Sequence, residues 1–224
     1  MTDETPTSEQ PHPITPTLEH ETAFWHAGLR RVAGIDEAGR GPWAGPVFAA
    51  AVILPPDAEV LASLEGVRDS KLLSARRRAA LVPHIEEIAL AVGVGVATVE
   101  EIDALRIVPA TRLAMQRAVA ALTLAPDALL IDGLRLPEVA LPQSAFPRAD
   151  VYALSVAAAS IIAKEARDRW MVEVAEVEYP GYGFAQHKGY GTRAHRDALN
   201  RLGVCPIHRR SFQPVAARVL LGEA

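Results

Sequence analysis

Val32-Ala33-Gly34-Ile35-Asp36-Glu37-Ala38-Gly39-Arg40-Gly41-Pro42 decides the fold. Four small or apolar residues read as a short buried strand, and two carboxylates follow directly before a glycine-rich turn reaching Pro46. Adjacent strand residues point to opposite faces, so Asp36 and Glu37 can share one site only where the strand is ending. Gly39 and Gly41 supply such an ending. Beyond the turn, Val47–Leu54 is apolar throughout and stops at Pro55-Pro56, the pattern of a central strand.

Working outward, Ser74 is placed to cap a helix in which Leu81, Ile85 and Ile88 recur at helical spacing. Val92–Val99 alternates valine with Gly, Ala or Thr, a third strand whose small residues let another element pack close. A helix is expected over 100–124, with Pro109 tolerable near its start. Ala128–Ile131 reads as a fourth buried strand stopping at Asp132-Gly133, followed by Pro-rich loops past Asp150. A long Ala-rich helix is expected over 155–178, a loop over 179–191, a basic helix over 192–202 and a last helix over 214–221. Met115, Gln116 and the Ala157–Ala159 run read as packing residues. Strands first, then helix–strand alternation, indicate an α/β domain with a mixed sheet flanked by helices and a helical C-terminal part.

The 224 residues suit one domain, half of them hydrophobic. No apolar run approaches the roughly 18 residues that span a bilayer, and the acidic N-terminus is unlike a secretory signal. The single cysteine, Cys205, suits a reducing compartment. The chain therefore reads as a soluble, cytoplasmic monomer with no membrane partner. Residues 1–24, rich in Thr, Pro and Glu, are expected to form a disordered tail ahead of a catalytic domain over 25–224.

A net charge of −4 argues at first against a nucleic-acid partner. Its distribution reverses that. Residues 1–24 carry five acids and no Lys or Arg, so the remainder holds 22 acids against 23 bases. Within 187–210, Asp197 is the only acid against Lys188, Arg193, Arg196, Arg201, Arg209 and Arg210. A local basic face is what a polyanion meets, although such runs are also ordinary solvated helix surface.

Asp36-Glu37, Asp132 and Asp150 recur at strand ends or just before a helix. A carboxylate beside a buried strand needs a partner, and hard oxygen ligands suit Mg²⁺ or Mn²⁺ rather than zinc. Any one of these acids alone is as well a solvated turn residue. Four acids around two divalent ions, however, form an arrangement for phosphodiester hydrolysis, in which the ions stabilise the attacking and leaving oxygens.

The Gly34–Pro42 stretch closely resembles the opening motif of bacterial ribonuclease HII, the type 2 ribonuclease H family. Asp69-Ser70-Lys71 with Leu73-Ser74, Ile131-Asp132-Gly133, Ala157–Lys164, Tyr182–Tyr190 and His208–Phe212 match further motifs in order. The resemblance covers roughly 30–214 and implies a ribonuclease H-like fold. It implies an endonuclease that hydrolyses the RNA strand of RNA–DNA hybrids and cuts 5′ of ribonucleotides embedded in duplex DNA, leaving 3′-hydroxyl and 5′-phosphate. By the same resemblance Asp36, Glu37, Asp132 and Asp150 are the catalytic metal ligands, and Gly39, Arg40 and Gly41 read the ribose 2′-hydroxyl. Tyr190 would lie against the deoxyribose that follows; a loop aromatic covering the core is its plainer reading. Lys71, Lys188, Arg193, Arg209 and Arg210 are candidates for phosphate contacts or plain surface charge. Ala149 stands where the family usually has glycine, and Val151-Tyr152-Ala153 replaces a more polar stretch. A replication clamp is a possible family partner, but Leu220–Ala224 shows no clear binding motif for one. Two other readings compete: a type 3 ribonuclease H, which would carry a folded N-terminal domain, and a non-catalytic nucleic-acid-binding module using the 187–210 face.

Overall fold

The computed structural model describes residues 15–220. In chain order the elements of its first half are α1 (Glu19–His26), β1 (Val32–Ala38), β2 (Val47–Ile53), α2 (Val60–Ser63), a 3₁₀ turn at Ser70–Leu72, α3 (Ala75–Ile88), β3 (Ala91–Ala97), α4 (Val99–Leu105) and α5 (Ile107–Ala120). Then come β4 (Ala128–Asp132), β5 (Gln143–Phe146), α6 (Ala149–Tyr152), α7 (Leu154–Trp170) and a π-helical turn at Met171–Ala175. The chain continues with α8 (Glu176–Glu178), α9 (Phe184–His187), α10 (Arg193–Leu202) and α11 (Val215–Leu220).

The five strands lie in the order β3-β2-β1-β4-β5. β2 runs antiparallel to both β1 and β3, whereas β4 and β5 run parallel to β1 and to each other, so the sheet is mixed. β2 is buried at every position, as its unbroken apolar run requires of a strand covered on both faces. On one face Ala157, Ala158 and Ala159 of α7 pack with Ala50 and Val52. On the other, Ala110, Ala114, Met115 and Ala118 of α5 pack with Ala49, Ala51 and Ile53. β3 meets α5 through its glycines: a Cβ on Gly95 would stand 2.1 Å from the Ala114 carbonyl oxygen, and one on Gly93 2.2 Å from that of Ala118. Met115 and the alanine run are core, whereas Gln116 is half-buried, its amide donating to Glu138.

Several expectations change. The tail expected over 1–24 is corrected where it is described: Glu19–His26 is helical, with Leu18 and Glu21 buried, while 1–14 lie outside the described residues. Glu21 is held there because its Oε1 accepts from both the backbone and the hydroxyl of Ser155. The helix expected over 100–124 is two, broken at Arg106, whose φ is +74°. Pro109 explains the break, since its ring would collide with the Leu105 carbonyl in a continuous helix. The loop before Asp150 contains β5, a half-buried edge strand between Pro142 and Pro147. The helix expected over 155–178 is present from Leu154 to Glu178, with a π-helical turn at Met171–Ala175 that the sequence reading did not foresee. The last helix closes at Leu220; 221–224 lie outside the described residues.

A smaller core, built from Ala44, Met171, Tyr182, Phe184, Ala198, Cys205 and Ile207, holds the C-terminal segments beside the 39–46 turn. The expected helical C-terminal part thus docks against the same corner of the sheet where the carboxylates lie.

Candidate active site

β1 and β4 are parallel neighbours whose pairing ends at Ile35 and Ile131. The next residue of each strand is an aspartate, so Asp36 and Asp132 stand side by side where the β1–β4 pairing ends. β1 itself continues to Ala38 against β2, so Glu37 still lies within a strand. The Ala149 N–H donates to Asp132 Oδ1 at 2.8 Å, which fixes the start of α6 and brings Asp150 to the cluster. Ala149 itself has helical backbone, and it is Arg148 that takes the left-handed conformation. The alanine that replaces the family's usual glycine is therefore unstrained.

These acids repel one another. Burial foremost, then Glu37, Asp132 and Asp150, push Asp36 well above the usual carboxylate range. Burial also raises Glu37, with Arg40 opposing at 3.2 Å from its Oε1. Asp150 is raised to about 6, by burial first and then by Asp69 and Asp132, against Lys71 with its Nζ 3.8 Å away. Glu37 Oε2 is buried with no hydrogen-bond partner. In the side-chain positions seen, no three such groups among the described residues already converge as a ligand set. The fit to cations rests instead on chemistry: crowded hard oxygen donors, one of them orphaned, in a cavity where the pairing of β1 with β4 ends.

Asp36, Glu37 and Asp132 line a cavity of about 190 Å³ together with Gly39, Arg40, Gly41, Lys71 and Tyr190. The structure thus unites eight of the thirteen residues singled out from sequence, and Asp150 adjoins them through Lys71. Gly39 has φ +100°, and a Cβ there would stand 2.1 Å from Arg167 Nε, so only glycine fits. Tyr190 is 41% exposed, with Lys164 Nζ 5.7 Å from its ring centroid. Its backbone carbonyl is held by a chain of neutral imidazoles. Cys205 N–H donates to His208 Nδ1, which leaves His208 Nε2 to donate to His195 Nε2 at 3.1 Å. His195 Nδ1 then donates to the Tyr190 carbonyl at 3.0 Å.

The basic candidates divide. Lys71 and Arg210 are exposed, and the side chain of Arg193 is 95% exposed. Lys188 lines a different groove, beside Glu165 and Asp168, and its ammonium donates to the Ala185 carbonyl. Arg209 is a correction: it is fully buried and spends its donors on backbone carbonyls, so no phosphate can reach it. Ser70, quoted only as part of a matched motif, also lines the cavity, and Arg167, which no motif singled out, is buried beneath it. Nothing in the sequence separates Arg167 from the charged residues around it, Lys164, Glu165, Asp168 and Arg169.

Comparison with known proteins agrees with this geometry. The family model described as Ribonuclease HII matches residues 33–215. The Ribonuclease HII of Paracidovorax citrulli is 54% identical over 205 residues, 91% of this chain and 82% of that protein. The PCNA:RNase HII complex from Archaeoglobus fulgidus superposes with a TM-score of 0.69 at 29% identity, covering 82% of this chain and 95% of that one. Bst-RNase HIII in complex with Mn²⁺ gives a TM-score of 0.61 at 21% identity over 99% of this chain and 77% of that one, a likeness of fold alone. Fold and acid-ended strands together define an endoribonuclease of the ribonuclease H class. Within that class the chain belongs to the ribonuclease HII family, which cleaves the RNA of RNA–DNA hybrids.

Proposed function

We propose that this enzyme also cuts 5′ of single ribonucleotides embedded in duplex DNA, leaving 3′-hydroxyl and 5′-phosphate, with Asp36, Glu37, Asp132 and Asp150 holding two divalent ions, Mg²⁺ or Mn²⁺. The observation that carries this reading is one cavity lined by three of those acids, the Gly39-Arg40-Gly41 turn and Tyr190. The ions supply Lewis acidity toward a water and toward the departing 3′ oxygen. The protein's own part is positional. The Gly39–Gly41 turn lines the cavity, and with the Gly39 and Arg40 carbonyls accepting from Arg209 it is the turn's N–H groups that would hydrogen-bond a 2′-hydroxyl, which DNA lacks. The Tyr190 ring leaves room for a deoxyribose on the 3′ side and crowds a ribose there. Lys71 and Arg40 flank the acids with positive charge suited to the phosphate.

No helix among the described residues is long and apolar enough to cross a membrane. The test is a DNA duplex carrying one ribonucleotide, incubated with enzyme and Mg²⁺ or Mn²⁺. Cleavage is expected at the 5′ phosphodiester of that nucleotide. Cleavage of uniform hybrid with the single-ribonucleotide duplex left intact overturns the proposal.

A further inference from the structure

Arg167 and Arg209 are the largest fully buried side chains among the described residues. Neither appears in an ion pair there. A buried guanidinium without a carboxylate is costly unless every donor is directed at a good acceptor. Here they are. Arg167 donates from Nε to Pro46, from Nη1 to Lys188 and from Nη2 to Ala44, each at 3.0 Å to a backbone carbonyl. Arg209 donates from Nε to Gly45 and from Nη1 to Arg40, each at 2.9 Å, and from Nη2 to Gly39 at 2.6 Å and Pro46 at 3.3 Å.

The acceptors belong to two turns. Five of the six carbonyls lie in 39–46, a segment with neither helix nor ladder to occupy them. The sixth, Lys188, opens the turn that carries Tyr190. The Arg167 guanidinium also lies 5.9 Å from the Tyr190 ring centroid. Backbone bonds stitch the same parts together, from Trp43 N–H to Gly189 O and from Arg209 N–H to Trp43 O. A Cβ on Gly189 would stand 2.4 Å from the Ala44 carbonyl oxygen, so the two turns are already in contact.

We propose that Arg167 and Arg209 are positioning residues for ribonucleotide recognition, bracing the Gly39–Pro46 turn against the Lys188–Gly191 turn so that the backbone of Gly39–Gly41 and the Tyr190 ring stand at a fixed separation. This rests on the reading of those two parts as the junction reader. Lysine cannot replace either residue, because a single ammonium lacks the planar fork that spans carbonyls of separate strands of chain. Burial depresses both guanidiniums, Arg209 further through its neighbour Arg167.

The measurement is a ratio: kcat/KM on a duplex with one embedded ribonucleotide divided by kcat/KM on a uniform RNA–DNA hybrid. A merely structural role lowers both rates with the folded fraction and leaves the ratio unchanged. For Arg167→Lys and Arg209→Lys the ratio is expected to fall about tenfold or more, since ångström-scale misplacement costs up to about 10²-fold. Tyr190→Ala, measured alongside, separates the two layers. If Tyr190→Ala collapses the ratio and folded lysine variants keep it within twofold, the brace is overturned. If Tyr190→Ala also keeps it, the junction reading falls and takes the brace with it. Should the lysine variants not fold, the wild-type enzyme decides by NMR: both Nε–H signals are expected to resist solvent exchange, and exchange as fast as that of surface arginines overturns the proposal.

Discussion

Asp132 meets two demands at once. Its Oδ1 accepts the Ala149 N–H that anchors α6, and its charge adds to the field on Asp36 and Asp150. Asparagine keeps the acceptor and removes the charge, so Asp132→Asn should retain fold and substrate binding while losing turnover. Loss of an outer partner of a metal ligand typically costs about 10–100-fold, so loss of a ligand's charge should exceed about 10²-fold in kcat. Single-turnover rates beside hybrid Kd values check this, and a variant with near-normal kcat removes Asp132 from the site. Gly39 makes a second case at this scale. Alanine there meets both φ +100° and the Arg167 side chain, so Gly39→Ala should destabilise by more than about 1 kcal/mol and lower cleavage of both substrates. Thermal unfolding and hydrolysis rates read the two effects separately.

At the scale of elements, the glycines of β3 serve packing rather than chemistry, since α5 contributes nothing to the carboxylate cavity. Gly95→Ala should cost about 1–3 kcal/mol by forcing α5 outward, while kcat of the folded fraction stays near wild type. A kcat loss without a Tm loss would contradict that division. The imidazole chain under Tyr190 has its own signature. Burial first, then a neighbouring imidazole, depresses His195 and His208 to about 4. An unfolded histidine takes up its proton near 6.5, so between those values the unfolded state binds more protons. The contribution is complete above about pH 6.5 and is lost as pH falls toward 4, on the order of 3 kcal/mol for His208. The raised carboxyls of Asp36 and Asp150 act in the opposite sense, so a difference isolates the histidine. The excess Tm of wild type over His208→Gln should be largest near neutrality and shrink on acidification; a constant gap would refute it. Elements were legible where burial follows apolar pattern, as in β1 to β4 and the Ser74-capped α3. β5 was not, because its four half-buried residues between prolines carry no alternation. Nor was α1, whose polar sequence is held by the buried Glu21–Ser155 contact, a tertiary fact.

For the whole molecule, charge placement outweighs the net −4. The acids of the site were legible because each follows an apolar run or opens a helix, whereas the basic residues were not separable in sequence. An arginine reads as surface charge wherever it falls, and only the fold shows that Arg209 faces backbone carbonyls while its neighbour Arg210 faces solvent. Salt dependence distinguishes them. Each phosphate neutralised adds about one to the slope of log K against log salt concentration. If Arg193 and Arg210 contact the duplex, Arg193→Ala and Arg210→Ala should each reduce that slope by about one with little change in Tm. Arg209→Lys should leave the slope unchanged, because no phosphate reaches its guanidinium, even as ribonucleotide selectivity drops. Binding isotherms on a cleavage-deficient Asp132→Asn background, taken across a salt series, measure this directly. An Arg209→Lys slope reduced by a full unit would mean the residue swings out to the duplex, and the buried arrangement would then not be the one that binds substrate.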